Sequence, residues 1–180
     1  MERLRLATVW LGGCSGCHMS FLDLDEWLFE LAEFADVVFT PIADFKEYPE
    51  NVDAVLVEGA IANEDNLAFI RLVRARTKWV IAFGDCAVTG NVTALRNPLG
   101  GALPILQRSY LELADRNAGL PNEPGIVPKL LDRVEPLHAV VKVEAFLPGC
   151  PPPADRIRHV LEALREGRLP QLEGREIKFG

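Results

Sequence analysis

The stretch LRLATVWLGGCSGC, residues 4–17, contains the transition that decides the fold. Residues 4–10 form a short apolar run that predicts a buried strand, and Gly12 and Gly13 predict a tight turn at its end. Two cysteines, Cys14 and Cys17, follow this turn directly. We therefore expect the first strand to deliver two thiols to its carboxyl end.

The rest of the chain alternates between apolar runs and helical periodicity. Strands are predicted at residues 36–42, 52–57, 79–83 and 139–147. Helices are predicted at residues 20–35 and 102–117, from Asn63 onward, and from Pro153 to a C-terminal cap at Gly167. Strands that alternate with helices predict an α/β fold with a doubly wound, mostly parallel sheet and helices on both faces.

The composition is that of a globular chain without a membrane segment. The 180 residues are 49% hydrophobic, and no linker interrupts them, so we expect one domain over residues 1–180 with a polar C-terminal arm at residues 168–180. No run approaches the roughly 18 apolar residues of a membrane helix, and no signal peptide is recognisable, which predicts a cytoplasmic protein without a membrane span. The net charge of -7 and the lack of a basic cluster argue against nucleic-acid binding.

Two further cysteines also follow predicted strands. Cys86 comes after the strand at residues 79–83, and Cys150 comes after the strand at residues 139–147. Because the carboxyl ends of parallel strands meet at one edge of the sheet, we expect all four thiols to lie together there. Nearby glycines would let the backbone wrap closely around a bound group; they are Gly13, Gly16, Gly84 and Gly149.

Several chemistries use cysteines in such a pattern. CSGCH at residues 14–18 matches the attachment sequence of a c-type haem, but that haem is attached after export, and no export signal is predicted. A thioredoxin-like dithiol would leave Cys86 and Cys150 without a role, and structural zinc usually takes two close pairs of ligands. Cys86 and Cys150 could also be buried simply as small apolar residues. Their position at strand ends, like that of the first pair, would then be a coincidence. A [4Fe-4S] cluster, with one thiolate for each iron, suits ligands from separate loops better.

Four motifs, in this order, resemble the small subunit of [NiFe] hydrogenases. They are WLGGCSGC at residues 10–17, VEGAI at residues 57–61, GDCA at residues 84–87 and LPGCPP at residues 147–152. The resemblance covers essentially the whole chain and implies a flavodoxin-like fold. It also implies that one proximal [4Fe-4S] cluster is bound by four ligands, namely Cys14, Cys17, Cys86 and Cys150.

The resemblance further implies the partners and the other cofactors. The Ni-Fe centre would lie in a separate large subunit, from which this chain would carry electrons onward. Since no twin-arginine signal, additional domain or fifth cysteine is present, the chain resembles the short, cytoplasmic small subunits of NAD(P)-reducing soluble hydrogenases. In that group, FMN, further iron-sulfur clusters and the NAD(P) site belong to diaphorase subunits.

Other interpretations stay open on the sequence alone. The related subunit of respiratory complex I has a similar Gly-Cys-Pro-Pro ending, but its first cysteines are adjacent, whereas Ser15 and Gly16 separate them here. The same type of subunit could serve a sulfur-reducing or deazaflavin-reducing hydrogenase. A stand-alone zinc-binding structural module would use the same four thiols.

Two polar residues near the cysteines are candidates for further roles. Glu58 ends an apolar strand at the cysteine edge, so it is either a polar link near a subunit interface that relays protons or a hydrogen-bonded structural acid. His18 either donates a hydrogen bond to a cluster sulfur or is a polar residue of the first helical turn. The loop after Cys86 is expected to shape the surroundings of the cluster; its residues are Thr89, Gly90 and Asn91.

Overall fold

A five-stranded parallel sheet forms the centre of this computed structural model, which describes residues 3–179. The strands are β1 (Leu4–Trp10), β2 (Ala35–Phe39), β3 (Val52–Glu58), β4 (Ile61–Asn63), β5 (Thr77–Phe83), β6 (Leu130–Glu135) and β7 (Ala145–Leu147). The main sheet has the order β2-β1-β3-β5-β7, and all its pairs are parallel. The short strands β4 and β6 pair antiparallel beside it. The predicted α/β fold with a mostly parallel sheet is confirmed; residues 1, 2 and 180 of the predicted domain and arm lie outside the described residues.

Helices cover the sheet on both sides. They are α1 (Gly16–Leu22), α2 (Trp27–Phe34), α3 (Glu64–Arg76), α4 (Asp85–Thr89), α5 (Asn91–Ala94), α6 (Ala102–Gln107) and α7 (Ala154–Arg165). Short 3₁₀ segments lie at Asn97–Leu99, Leu137–Ala139 and Gly174–Ile177, and a π-helical turn at Arg108–Glu112 follows α6. Within residues 3–179, none of these helices has the length and apolar character needed to cross a membrane.

The alternation of side chains along β3 explains why two cores form. Ala54 and Leu56 point to the core that α1, α2 and α7 cover, while Val55 and Val57 point to the core that α3 and α4 cover. All four are fully buried. A central strand covered on both faces needs a continuous apolar run rather than an alternating one, which is the pattern that the sequence shows.

The prediction of one continuous helix over residues 20–35 is wrong. The structure has two helices, because the chain turns between them at Asp25, whose φ of 49° is left-handed. Phe21 of α1 and Leu31 of α2 nevertheless reach the same core. The apolar spacing therefore continues across the break, and this continuity conceals the break in the sequence.

The predicted strand over residues 139–147 is correct only in its last three residues. The preceding valines, Val140, Val141 and Val143, pack partly buried against the second core without joining the sheet. The predicted helix at residues 102–117 is likewise shorter, since its α-helical part ends at Gln107. The pairing of β4 with β6 was not predicted, because it joins two short segments that are far apart in the chain.

The final helix is confirmed. Pro153 precedes α7, and Gly167, with a φ of 71°, follows its end. The buried face of α7 consists of Ile157, Val160, Leu161, Ala163 and Leu164. This packing fixes the chain that leaves the Cys150 loop.

Candidate metal centre

The register of the sheet aligns the tips of four strands. Trp10 of β1 pairs with Glu58 of β3, Glu58 pairs with Phe83 of β5, and Phe83 pairs with Leu147 of β7. The loops after β1, β5 and β7 therefore leave the sheet side by side. These are the loops that carry the cysteines.

The structure brings the four predicted cysteines together. All are free thiols; Cys17 is buried, Cys86 is half-buried, and Cys14 and Cys150 are exposed. The Cys17 sulfur lies within electrostatic range of the other three. Within residues 3–179, no three Cys, His, Asp or Glu side chains are arranged to hold a single metal ion. The four sulfurs are thus neighbours that do not close around one ion.

The surroundings disfavour free thiolates at Cys17 and Cys86. Burial raises the pKa of Cys17 far above its ordinary value, and the Glu58 carboxylate and the other thiols raise it further. Burial also raises the pKa of Cys86, although the Val92 N–H, which contacts this sulfur, partly offsets the effect. Metal ligation requires thiolates, so a bound cationic centre would have to displace these protons.

The predicted glycines allow the backbone to approach the sulfurs. A Cβ atom on Gly84 would lie 2.2 Å from the Cys17 Sγ, and Gly84 has a left-handed φ of +84°. A Cβ on Gly16 would lie 3.3 Å from the Cys14 Sγ. Gly13 and Gly149 instead lie against other backbone, since their added Cβ atoms would meet Gly59 Cα at 3.1 Å and Pro152 Cα at 2.4 Å, respectively.

Hydrogen bonds join the cysteine-bearing loops to one another. The buried Asp85 accepts a bond from the Gly149 N–H at 2.6 Å, and its own N–H donates to the Gly149 oxygen at 2.9 Å. The Ser20 hydroxyl on α1 donates to the Pro152 oxygen beyond Cys150. Ser20 and Asp85 were not predicted as positioning residues. An acidic residue between a strand-end glycine and a cysteine is the sequence signal that could have indicated Asp85.

Glu58 and His18 form a buried pair beneath this edge. The Glu58 Oε2 accepts the His18 backbone N–H at 3.0 Å and also contacts His18 Nδ1. The His18 ring packs edge-on against Phe83. His18 Nε2 is buried and has no hydrogen-bond partner among the described residues. Glu58 is thus a hydrogen-bonded buried acid, and Nε2 is the ring nitrogen left for any bond to a cluster.

The residues present fit an iron-sulfur cluster. Four thiols from three loops are the ligand set of a [4Fe-4S] centre, which tolerates ligands far apart in sequence. The close approach of Gly84 to the Cys17 sulfur and the unpartnered His18 Nε2 are features that a bound inorganic group would explain. The same four thiols were the ligands expected from the sequence.

Comparison with known proteins agrees with this geometry. Residues 14–164 match the family described as NADH ubiquinone oxidoreductase, 20 Kd subunit. The chain belongs to this family. The match includes all four cysteines of the candidate centre. The family takes its name from NADH ubiquinone oxidoreductase, which is respiratory complex I. The related subunit of complex I was the nearest alternative on the sequence alone.

The relatives within the 20 Kd subunit family include hydrogenase subunits. The chain is 37% identical to the delta subunit of NAD-reducing hydrogenase HoxS from Cupriavidus necator, over 92% of this chain and 80% of that protein. It is 38% identical to an F420-non-reducing hydrogenase subunit of Methanothermobacter marburgensis, over 92% of this chain but 54% of that protein. The chain therefore spans about half the length of some of its relatives.

Solved structures show the same relationship. A crystal structure of an NAD⁺-reducing [NiFe]-hydrogenase in the H₂-reduced state contains a chain 36% identical to this one, with a TM-score of 0.92 and 99% coverage of both chains. A [NiFeSe]-hydrogenase of Dm. baculatum, 17% identical with a TM-score of 0.60, covers 96% of this chain and 68% of its own and shares the fold. The predicted resemblance to hydrogenase small subunits is confirmed.

Proposed function

We propose that this chain is the electron-transfer small subunit of a bidirectional NAD(P)-linked [NiFe] hydrogenase. Cys14, Cys17, Cys86 and Cys150 would bind one proximal [4Fe-4S] cluster. The observation that carries the proposal is the convergence of these four cysteines, from three loops, at one edge of the sheet. When bound, the cluster would accept and release single electrons.

The protein's own part is to hold the ligands still and keep water away. The Asp85–Gly149 and Ser20–Pro152 hydrogen bonds fix the cysteine loops relative to one another. The buried Cys17 side chain and the buried His18–Glu58 pair line the inner side. A fixed, dry surrounding is what an electron carrier needs, because exposure and hydrogen bonding around a cluster set its potential.

The outer side of the cysteine edge suits a protein partner. Large apolar side chains are exposed in the chain segments that flank the cysteines; they are Trp10, Met19, Val92 and Leu95. Exposed apolar patches of this kind mark interaction sites. The partner we propose is a hydrogenase large subunit with the Ni-Fe centre. Electrons from hydrogen would then have a short path to the cluster that the four cysteines would bind.

The electron acceptor we propose is NAD(P), reached through diaphorase subunits that hold FMN and further iron-sulfur clusters. The NAD-reducing relative of C. necator and the NAD⁺-reducing hydrogenase structure, which matches along the whole chain, support this choice.

The cytoplasmic location expected from the sequence belongs to the same proposal. One domain over residues 1–180, with an arm from residue 168, remains our interpretation of the chain.

Two relatives with F420 in their names support a different electron acceptor. Relatives at 38% and 30% identity are an F420-non-reducing hydrogenase subunit and the gamma subunit of a coenzyme F420 hydrogenase. A complex of that kind would keep the same cluster and large subunit, but would pass electrons to another carrier. Reduction of NAD⁺ by the purified complex under hydrogen distinguishes the two.

The cluster itself is tested by analysis of the intact complex. We expect four irons and four sulfides attributable to this chain, and an EPR signal after dithionite reduction. Serine in place of Cys86 or Cys150 should abolish or alter that signal, since each sulfur would bind one iron. Zinc instead of iron in the wild-type chain would overturn the proposal in favour of a structural metal module.

A further inference from the structure

The loop that follows Cys86 returns over the cysteine edge. Asn91 donates a hydrogen bond from its Nδ2 to the Cys150 Sγ, with 3.5 Å between the two atoms. The neighbouring Val92 N–H contacts the Cys86 sulfur. One short segment of chain therefore reaches the sulfurs of two cysteines that are far apart in the sequence.

The backbone holds Asn91 in this position. Gly90 and Asn91 have φ values of 87° and 34°, so both are left-handed, a conformation in which glycine and asparagine are the favoured residues. The Asn91 N–H donates to the Thr89 hydroxyl at 3.3 Å, and the Thr93 hydroxyl donates to the Gly12 oxygen at 2.9 Å. The amide is thereby aimed at the sulfur by contacts on both sides of it.

The Thr93 hydroxyl also lies near the Cys86 sulfur. A hydroxyl has one proton, and here it goes to the Gly12 oxygen. The Asn91 amide has two N–H groups, so it can serve a sulfur without giving up another bond. Asn91 is therefore the clearest side-chain donor to a cysteine sulfur at this edge.

We propose that Asn91 is a positioning residue that raises the reduction potential of the cluster through its hydrogen bond to the Cys150 sulfur. This inference rests on the proposed function. Reduction adds one electron, and the added negative charge spreads onto the ligand sulfurs. A donor at one of those sulfurs stabilises the reduced state more than the oxidised state.

The test is an EPR-monitored redox titration of the intact complex with two Asn91 variants. Asn91→Asp keeps the shape and tolerates the left-handed backbone, but it replaces the donor by an acceptor. Asn91→Gly removes the side chain and keeps the backbone freedom. At a fixed potential, we expect the ratio of oxidised to reduced cluster to rise several-fold in the glycine variant and about tenfold in the aspartate variant, which corresponds to about 59 mV.

A matched control is available at Asn117. This residue is also left-handed, with a φ of 50°, and exposed, and Asn117→Asp adds the same charge without a cysteine contact. The control should leave the potential unchanged. Unchanged potentials in both Asn91 variants with full iron content would overturn the inference alone. Loss of iron from both variants would also contradict it, because Asn91 would then be a structural residue.

Failure of the proposed function would look different. In that case the wild-type complex would contain no iron and sulfide at this chain, and no potential could be measured for any variant. The metal analysis of the wild-type complex therefore separates the two outcomes before any variant is compared.

Discussion

At the scale of single residues, Gly84 lies so close to the Cys17 sulfur that no side chain fits between them. An alanine at this position would place its Cβ 2.2 Å from that sulfur and would also need a φ of +84°, which residues other than glycine rarely adopt. We expect Gly84→Ala to lose cluster iron and to lower the free energy of unfolding by more than the roughly 1–2 kcal/mol of backbone strain. Iron analysis and urea unfolding measure the two effects.

Gly125→Ala is the control that measures the cost of backbone strain without a steric clash. Gly125 has a similar φ of +78°, but nothing lies within 4 Å of an added Cβ. This variant should show the backbone cost without loss of iron. Equal behaviour of the two variants would mean that contact with the sulfur is unimportant.

The buried Glu58 carboxylate is a second residue whose role can be isolated. Glu58→Leu would leave the His18 N–H and Nδ1 without their acceptor, at a cost of roughly 1–3 kcal/mol for each buried group. Glu58→Gln keeps an acceptor oxygen and should cost less. Urea unfolding should rank the wild type above Glu58→Gln and Glu58→Leu last. Unchanged hydrogen turnover in Glu58→Gln would exclude a proton-relay role.

At the scale of elements, Arg156 of α7 joins three segments. Its guanidinium donates to the Pro148 oxygen of the Cys150 loop, and to the Arg175 and Lys178 oxygens of the C-terminal arm, both at 3.1 Å. The bond to Pro148 is partly buried, and hydrogen bonds from a charged donor contribute about 1.5–3 kcal/mol in such surroundings. The two bonds to the arm are exposed, so solvent weakens them. The helix therefore fastens the arm and the cysteine loop together.

Arg156→Ala should release the arm. We expect amide hydrogen exchange over residues 174–178 to become at least tenfold faster. Arg158→Ala is the control, since Arg158 lies on the same helix and pairs with Glu162 one turn away. Equal exchange rates in the arm of both variants would show that Arg156 does not hold it.

Glu144 connects the start of β7 to β5. Its carboxylate accepts from the Val80 N–H at 2.8 Å and from Arg74 at 2.7 Å. Burial alone would raise the pKa of Glu144, but the contacts from Val80, Arg74 and Lys142 outweigh burial and hold the pKa below its ordinary value of 4.5. Because the folded-state pKa is the lower one, this stabilisation is complete above pH 4.5 and is lost as the pH falls further.

Glu144→Gln should therefore destabilise the chain in a pH-dependent way. At neutral pH we expect a loss of about 1–3 kcal/mol, since an ionic hydrogen bond becomes a neutral one. The difference from the wild type should shrink below pH 4.5, where the wild-type carboxylate also becomes protonated. Urea unfolding at neutral and acidic pH measures this, with the exposed Glu47→Gln as control. A constant difference across this range would contradict the assignment.

At the scale of the whole molecule, the exposed apolar residues at the cysteine edge are expected to be covered in the complex. Leu95 is 70% exposed and lies in the chain just beyond the Asn91 loop. Leu95→Glu would place a charge in the proposed interface, where an unpaired buried charge is costly. We expect the large subunit to co-purify at least tenfold less well with this variant.

Phe29→Glu is the control for that experiment. Phe29 is 79% exposed, but it lies on α2, away from the strand tips. The Phe29→Glu variant should co-purify with the large subunit as well as the wild type does, although it removes a similar amount of exposed apolar surface as Leu95→Glu. Equal loss of the partner in both variants would place the interface elsewhere or make the effect one of general solubility.

The elements with a regular apolar pattern could be predicted from the sequence, because that pattern is local. The buried strands β1, β3 and β5 and the helix α7 each carry an uninterrupted apolar pattern, and their bounds were close to those observed. The break at Asp25 and the loop at residues 140–144 could not be predicted, since their apolar residues still face a core. The helices α4 and α5 are too short to show a helical period.

The sequence by itself determined that four cysteines lie at strand ends, and therefore that they meet, because parallel strands with covalent crossovers must end at a common edge. Only the tertiary structure decided what surrounds them. Glu58 is 40 residues from His18, and Asn91 is 59 residues from Cys150. Contacts over such separations depend on how loops pack against one another, and no local pattern of residue types encodes that packing.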